Sequence, residues 1–296
     1  MQYDLRLVIR YHFDRPTGAG RQLLRIQPAE MQGLQSLLSS EITITPEPLE
    51  RREFTDFFGT HVLEVVMAAG LTKCEIVLKA RVVRHGLGVE LDISPPLARL
   101  PEELAQVTGV GATSPHHFLS ASPRIPLDPA IAAYAATATV ASETTRDAIE
   151  AVGRAIHTDM AFDAKATEVD TSPSEAFSLK RGVCQDFAQI MICGLRSLGV
   201  PAAYVGGFLR TRPPPGRPRL EGADAMHAWV RAWAGTEVGW VDYDPTNACF
   251  ADTDHIAVGQ GRDYGDVAPV TGAWRMDGGQ KGSHAVDLIE VSAAKR

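Results

Sequence analysis

The sequence predicts an α+β core preceded by an N-terminal β-sandwich-like domain. Three observations carry this reading. Tyr3, Leu5, Leu7, Ile9, Tyr11 and Phe13 alternate with Asp4, Arg6, Arg10 and His12, the period of a strand with one buried face. The same period returns in Cys74, Ile76, Leu78, Ala80 and Val82. Beyond a proline-rich stretch the apolar residues change to helical spacing, and alternation resumes only after those helices.

Between the two long alternating segments, shorter apolar runs at Leu23 to Ile26, Glu41 to Thr45 and His61 to Met67 are separated by turns such as Phe57-Phe58-Gly59-Thr60. Several short strands at this spacing define a sandwich-like domain over residues 1–95, with Cys74 facing its core. Ser94-Pro95-Pro96, Pro101 and Ile125-Pro126 mark an irregular connection from Gly86 to about Pro126. Residues 96–296 then form the second domain, with its core at about 140–265. A short helix is expected over Pro129 to Ala136. A longer one runs from Ser142 to Met160, where Ile149, Val152, Ile156 and Met160 form a stripe and Ser142 or Thr144 serves as cap. A third helix starts at Cys184 and buries one side through Phe187, Ile190, Met191, Leu195 and Leu198 before Gly199-Val200-Pro201 stops it. Strands follow around 202–209, 225–233 and 239–243.

Composition excludes several classes of function. The chain has 296 residues, 45% hydrophobic and 22% charged, an ordinary globular balance. A net charge of −7 without a concentrated basic face argues against nucleic-acid or anionic-membrane partners. Four cysteines at 74, 184, 193 and 249 have neither C-x-x-C spacing nor the density of a disulfide scaffold. His255 and the pair His116-His117 lack the partner spacing of a metal site, so no metal or other cofactor is expected. The N-terminal residues carry no cationic leader followed by an apolar core, and no apolar run reaches membrane-spanning length; a cytoplasmic protein is the expectation.

Nucleophilic chemistry is the function class that the residues favour. A glycine turn, Arg181-Gly182-Val183, delivers Cys184 to the first turn of its helix, where unpaired N–H groups and the dipole favour a thiolate. His227-Ala228-Trp229-Val230 and Gly239-Trp240-Val241-Asp242-Tyr243-Asp244 read as the two strands of a hairpin turning near Ala234-Gly235. A carboxylate ending one strand can then orient the histidine on the other while the second ring nitrogen faces Cys184. Asp242 and Asp244 point the same way and compete for that role. Cys193, on the opposite side of the helix, and Cys249 read as packing or edge thiols. Gln185 and Asp186 cap or buttress the helix, and Trp229 and Trp240 either wall a cleft or fill the core. The loop Arg210 to Arg219, with four arginines, is either a solvated connection or a receiver of a carboxylate-rich substrate.

Arg-Gly-Val-Cys-Gln-Asp-Phe (181–187), His-Ala-Trp (227–229) and Asp-Pro-Thr-Asn (244–247), in this order, resemble the transglutaminase-like superfamily, in particular its bacterial members described as cysteine proteases. Residues 162–171 resemble the lead-in to the cysteine helix, and Gly261 to Pro269 the signature after the aspartate. The resemblance implies a papain-like core, with Cys184 as nucleophile, His227 as base and then acid, and Asp244 as orienting carboxylate. Gln189 stands where relatives commonly have histidine, and Ala203 to Phe208 lacks the arginine, serine and tyrosine of the usual pattern. The implied reaction is acyl transfer from a peptide, isopeptide or other polyamide through a Cys184 thioester, ended by water or by an amine acceptor. The oxyanion would meet the Cys184 N–H and a second donor that the sequence does not identify. A binding or scaffold module retaining the same residues is the alternative from another class.

Overall fold

The computed structural model describes residues 1–86, 88, 91–211, 222 and 224–291. In chain order the elements are β1 (Gln2–Phe13), β2 (Gly20–Leu24), β3 (Gln35–Thr45), β4 (Glu50–Thr55), β5 (His61–Met67), β6 (Lys73–Arg84), α1 (Leu100–Gln106), α2 (Pro129–Ala138), α3 (Thr145–Asp159), β7 (Ala161–Phe162), α4 (Pro173–Leu179), β8 (Arg181–Gly182) and α5 (Cys184–Ser197). They continue with β9 (Ala202–Leu209), β10 (Ala225–Trp233), β11 (Trp240–Asp244), β12 (Cys249–Phe250), β13 (His255–Gly261), α6 (Tyr264–Val267), β14 (Val270–Trp274) and β15 (Gln280–Glu290).

Two four-stranded antiparallel sheets, β15-β1-β6-β3 and β14-β2-β5-β4, share one apolar core through the alternating faces already evident in the sequence. The second half is a five-stranded antiparallel sheet, β12-β11-β10-β9-β13, covered by the helices. Residues 270–290, read from the sequence as part of the second domain, instead complete both N-terminal sheets: β14 pairs with β2, and β15 pairs with β1 along its length. The long strand β1 would otherwise leave an edge of unpaired backbone groups. In β15 only Val286 and Leu288 are buried, so its sequence carried almost no alternation.

Helix α5 lies at the centre of the second half. It packs on β9 and β10 from one side and against α2, α3 and α4 from the other. Every residue from Asp186 to Arg196 is therefore buried, where one apolar side was expected. Arg196 is accommodated by carbonyls: Nε donates to Phe118 (3.0 Å) and Ala202 (3.1 Å), and Nη2 to Ala202 (2.8 Å) and Arg262 (2.6 Å). Thr144 caps α3, accepting from the Asp147 N–H at 3.1 Å. Close packing of α3 on β11 fixes Gly153, where an added Cβ would lie 2.1 Å from the Tyr243 ring.

The connection that the prolines marked as irregular contains helix α1 at Leu100–Gln106. Pro101 in α1 and Pro173 in α4 both occupy the first helical turn, where a missing N–H costs nothing. Strand β4 was missed because all six of its residues are exposed on a sheet edge. Among the described residues, no helix is long and apolar enough to cross a membrane.

Candidate active site

Cys184 begins α5, and the local structure explains why. Gly182 packs against the Asp186 side chain so closely that a Cβ there would lie 2.4 Å from Oδ2. That carboxylate oxygen accepts from the Val183 N–H (2.8 Å) and the Thr167 hydroxyl (2.6 Å), holding the turn onto the helix. Burial raises the Asp186 pKa. The first helical bonds run from Asp186 and Phe187 N–H to the Val183 carbonyl. The N–H groups of Cys184 and Gln185 precede them at the positive end of the dipole. The Gln185 side chain donates to the Val169 carbonyl at 2.9 Å and so ties down the lead-in segment.

The hairpin supplies the other two groups. Its ladder pairs Val230 with Tyr243 and Arg231 with Asp242, and the turn closes through Ala234 N–H to Gly239 O at 2.7 Å. Continuing the register sets Asp244 across from Trp229, one same-face step from His227. His227 Nε2 lies 2.8 Å from Asp244 Oδ2, and Cys184 lines the same cleft as the ring and interacts with it electrostatically. Nδ1 is the nitrogen left for the thiol. The structure thus brings together the three residues expected from the sequence. Burial alone would lower the His227 pKa, but the hydrogen bonds and charges of Asp244 and Cys184 outweigh it and raise the group to about 10. Burial would likewise raise Asp244; hydrogen bonds from His227 and His255 instead hold its carboxyl well below the usual carboxylate range.

Asp242 belongs to a different set. It receives Arg231 through two bonds (2.6 and 2.8 Å) and the Trp229 indole N–H at 3.1 Å. Trp229 is fully buried, and Trp240 packs on Phe118 with its N–H on the Thr113 carbonyl (3.2 Å), so neither tryptophan lines the cleft. Cys74 and Cys193 are core residues, and burial pushes the Cys74 thiol up to about 11. Cys249 lies exposed on the edge strand β12. Arg210 is held by Glu290 (2.9 Å) and Asp254 (3.5 Å), while Arg212, Arg217 and Arg219 lie outside the described residues.

Sequence reasoning set aside one residue that the structure brings in. His255 on β13 is 4% exposed and places Nε2 3.0 Å from Asp244 Oδ2. No short spacing links it to Asp244; only the fold of the sheet does. The two imidazoles and the carboxylate lie within 4.8 Å of one another, a geometry open to a metal ion as well as to hydrogen bonding. The donors favour hydrogen bonding. His255 Nδ1 faces the Asp252 N–H at 3.4 Å as acceptor, which assigns the proton to Nε2. Asp244 also accepts from Thr246 N–H (2.9 Å), Asn247 N–H (3.2 Å) and Asn247 Nδ2 (2.7 Å). A carboxylate so saturated with donors does not fit a metal-ligand set.

Cys184 and His227 open onto a cleft of about 210 Å³. Tyr204, Phe208, Met226 and Tyr264 give it an apolar lining, and Arg25 and His284, both from the sandwich half, complete its wall. The segment Gly261 to Pro269 shapes another side. Asp263 caps α6 through Gly265 N–H (2.8 Å), and Asp266 holds Arg262 at 2.9 Å.

This fold and site place the chain in a known class. The transglutaminase-like superfamily profile matches residues 132–245, and the bacterial transglutaminase-like N-terminal region matches residues 3–83. The chain belongs to the transglutaminase-like superfamily and carries the bacterial N-terminal region. It is 33% identical over 255 residues to an uncharacterized protein of Mycobacterium tuberculosis, covering 80% of this chain and 76% of that one. Over 93 residues it is 34% identical to a protein-glutamine gamma-glutamyltransferase of Pseudomonas aeruginosa, covering 30% of this chain and 14% of the other. A solved structure from Cytophaga hutchinsonii, described as a "putative cysteine protease", superposes with a TM-score of 0.75 at 19% identity, covering 100% of this chain and 92% of that one. At that identity the likeness establishes the fold.

Proposed function

We propose that the protein is a cysteine-dependent acyl-transfer enzyme acting on amides of peptide, isopeptide or polyamide substrates. The observation that carries this reading is the meeting of Cys184 with the hydrogen-bonded pair His227–Asp244 at the mouth of an apolar cleft. Cys184 Sγ attacks the amide carbonyl carbon, and the oxyanion develops beside the N–H at the start of α5. The C–N bond breaks as His227 gives its proton to the leaving amine, leaving a thioester on Cys184. Water or a second amine then attacks the thioester carbonyl, His227 takes the incoming proton, and the C–S bond breaks to release the acid or new amide and return the Cys184 thiolate. Asp244 keeps the imidazole in one orientation throughout. No cofactor enters these steps, and neither nucleic acid nor membrane is a partner in them.

The Pseudomonas relative's name supports glutamine as acyl donor and an amine as acceptor; the Cytophaga protein's description supports hydrolysis. Mapped alkylation of Cys184 with iodoacetamide at pH 6 tests the chemistry itself. An ordinary thiol is only ~0.3% thiolate there, so an armed cysteine should react up to about a hundredfold faster than its His227→Ala variant. Equal, slow rates in both proteins would leave a binding module as the better account. Glutamine peptides incubated with and without a primary amine then separate the outcomes: amine incorporation marks transamidation, whereas release of ammonia or peptide fragments alone marks hydrolysis.

A further inference from the structure

Strand β13 is shared between the two halves of the molecule, and its two faces do different things. Ile256 and Val258 point into the core of the N-terminal sandwich. Ala257 faces the opposite way and packs with Val205, Trp229 and Ala251, and His255 lies on that same face against the Trp229 ring (5.3 Å between centroids). Where the pairing of β13 with β9 shifts register, between Ala257 and Gly259, the sandwich supplies the missing partner. The fully buried Gln35 amide accepts from Ala257 N–H at 2.9 Å and donates to Ala257 O at 2.8 Å, binding that residue as a neighbouring strand would. Ala29 N–H adds a bond to the same carbonyl at 2.9 Å.

We propose that His255 is a positioning residue for the candidate triad: its Nε2–H shares Asp244 Oδ2 with His227, and the N-terminal sandwich holds it there through Gln35 and β13. The role rests on the catalytic reading of Cys184 and supplies a reason for the sandwich to accompany the core. Asp244 has one oxygen fixed by backbone N–H groups of Thr246 and Asn247; the other, which meets His227, is fixed by side chains alone, Asn247 and His255. Removing the His255 donor leaves that fully buried oxygen less restrained. Among the described residues the His255 Nε2–H has Asp244 Oδ2 as its acceptor, while Nδ1 meets the Asp252 N–H; His227, Cys249 and Asp254 are the other titratable groups nearby.

The test is iodoacetamide alkylation of Cys184 in the full chain from pH 5 to pH 9, with folding checked by circular dichroism. His255→Leu, which keeps bulk and loses the donor, should slow the reaction at pH 6 by about tenfold, and His255→Gln, which keeps an N–H donor, should recover it to within about threefold, as expected for one charge-assisted hydrogen bond. A folded His255→Leu protein with the wild-type pH profile, or a His255→Gln protein as slow as His255→Leu, would overturn the proposal. Should His255→Leu not fold, Gln35→Leu carries the test. Faster amide exchange at Ala257 together with slower Cys184 alkylation supports the coupling, and faster exchange with wild-type alkylation refutes it. His227→Ala separates the two levels. If that variant slows alkylation and His255→Leu does not, only the positioning role fails; if neither variant slows it, the catalytic reading itself falls.

Discussion

At the scale of single residues, the site turns on which aspartate takes which partner. Asp242 and Asp244 share a strand face, and the resemblance alone favoured Asp244; the structure shows the physical reason, since Arg231 and Trp229 occupy Asp242 while His227 reaches Asp244. Cys184, His227 and Asp244 were legible because each lies in a local motif with its own chemistry. His255 was not, because its partner comes from β11 and nothing in the intervening sequence links the two. The pair His227–Asp244 also predicts a pH signature in stability. A histidine raised from 6.5 to about 10 contributes fully below pH 6.5, and the contribution is lost as pH climbs through 10. Asp244, depressed from 3.8, contributes above that value and loses its share as pH falls below it. Urea midpoints should therefore drop more steeply from pH 7 to pH 10 in the wild type than in His227→Ala; parallel slopes would show that the ion pair adds nothing to folding.

At the scale of elements, the start of α5 is held by close packing and by a capping carboxylate together. The glycine before it was read as a turn, which it is, yet its necessity comes from the Asp186 carboxylate packed where a Cβ would go. Gly182→Ala should cost about 1–3 kcal/mol through overpacking and loss of the Val183 cap, measurable as a lowered thermal midpoint. A midpoint within a degree of wild type would mean that the turn relaxes freely. Long alternating strands and the striped helix α3 were legible for the ordinary reason that one face is buried and the other wet. Helix α5 was legible as a helix although its burial is nearly complete, whereas β4, exposed throughout, and β15, buried at two positions, gave no periodic signal. The proline of α1 misled for a different reason: the residue that ends helices also starts them.

At the scale of the whole molecule, the five-stranded sheet does not stand apart from the sandwich. Phe208, Ile256 and Val258 leave that sheet to enter the sandwich core, worth roughly 1.5–3 kcal/mol each for a fully buried side chain. Removing residues 1–95 would expose this face and strip β14 and β15 of their partners, so the remainder should be recovered aggregated. A soluble, monomeric remainder that turns over small amides would show instead that the sandwich serves recognition. The pairing of β1 with β15, Tyr3 opposite Glu290 and Phe13 opposite Gln280, has a consequence for how the molecule is made. On the ribosome Cys184 and His227 emerge while the first sheet still lacks β15, and His284 of that strand is part of the cleft wall. Cys184 is thus synthesised about a hundred residues before the strand that completes the cleft wall beside it, so the cleft closes around it only after β15 has paired with β1.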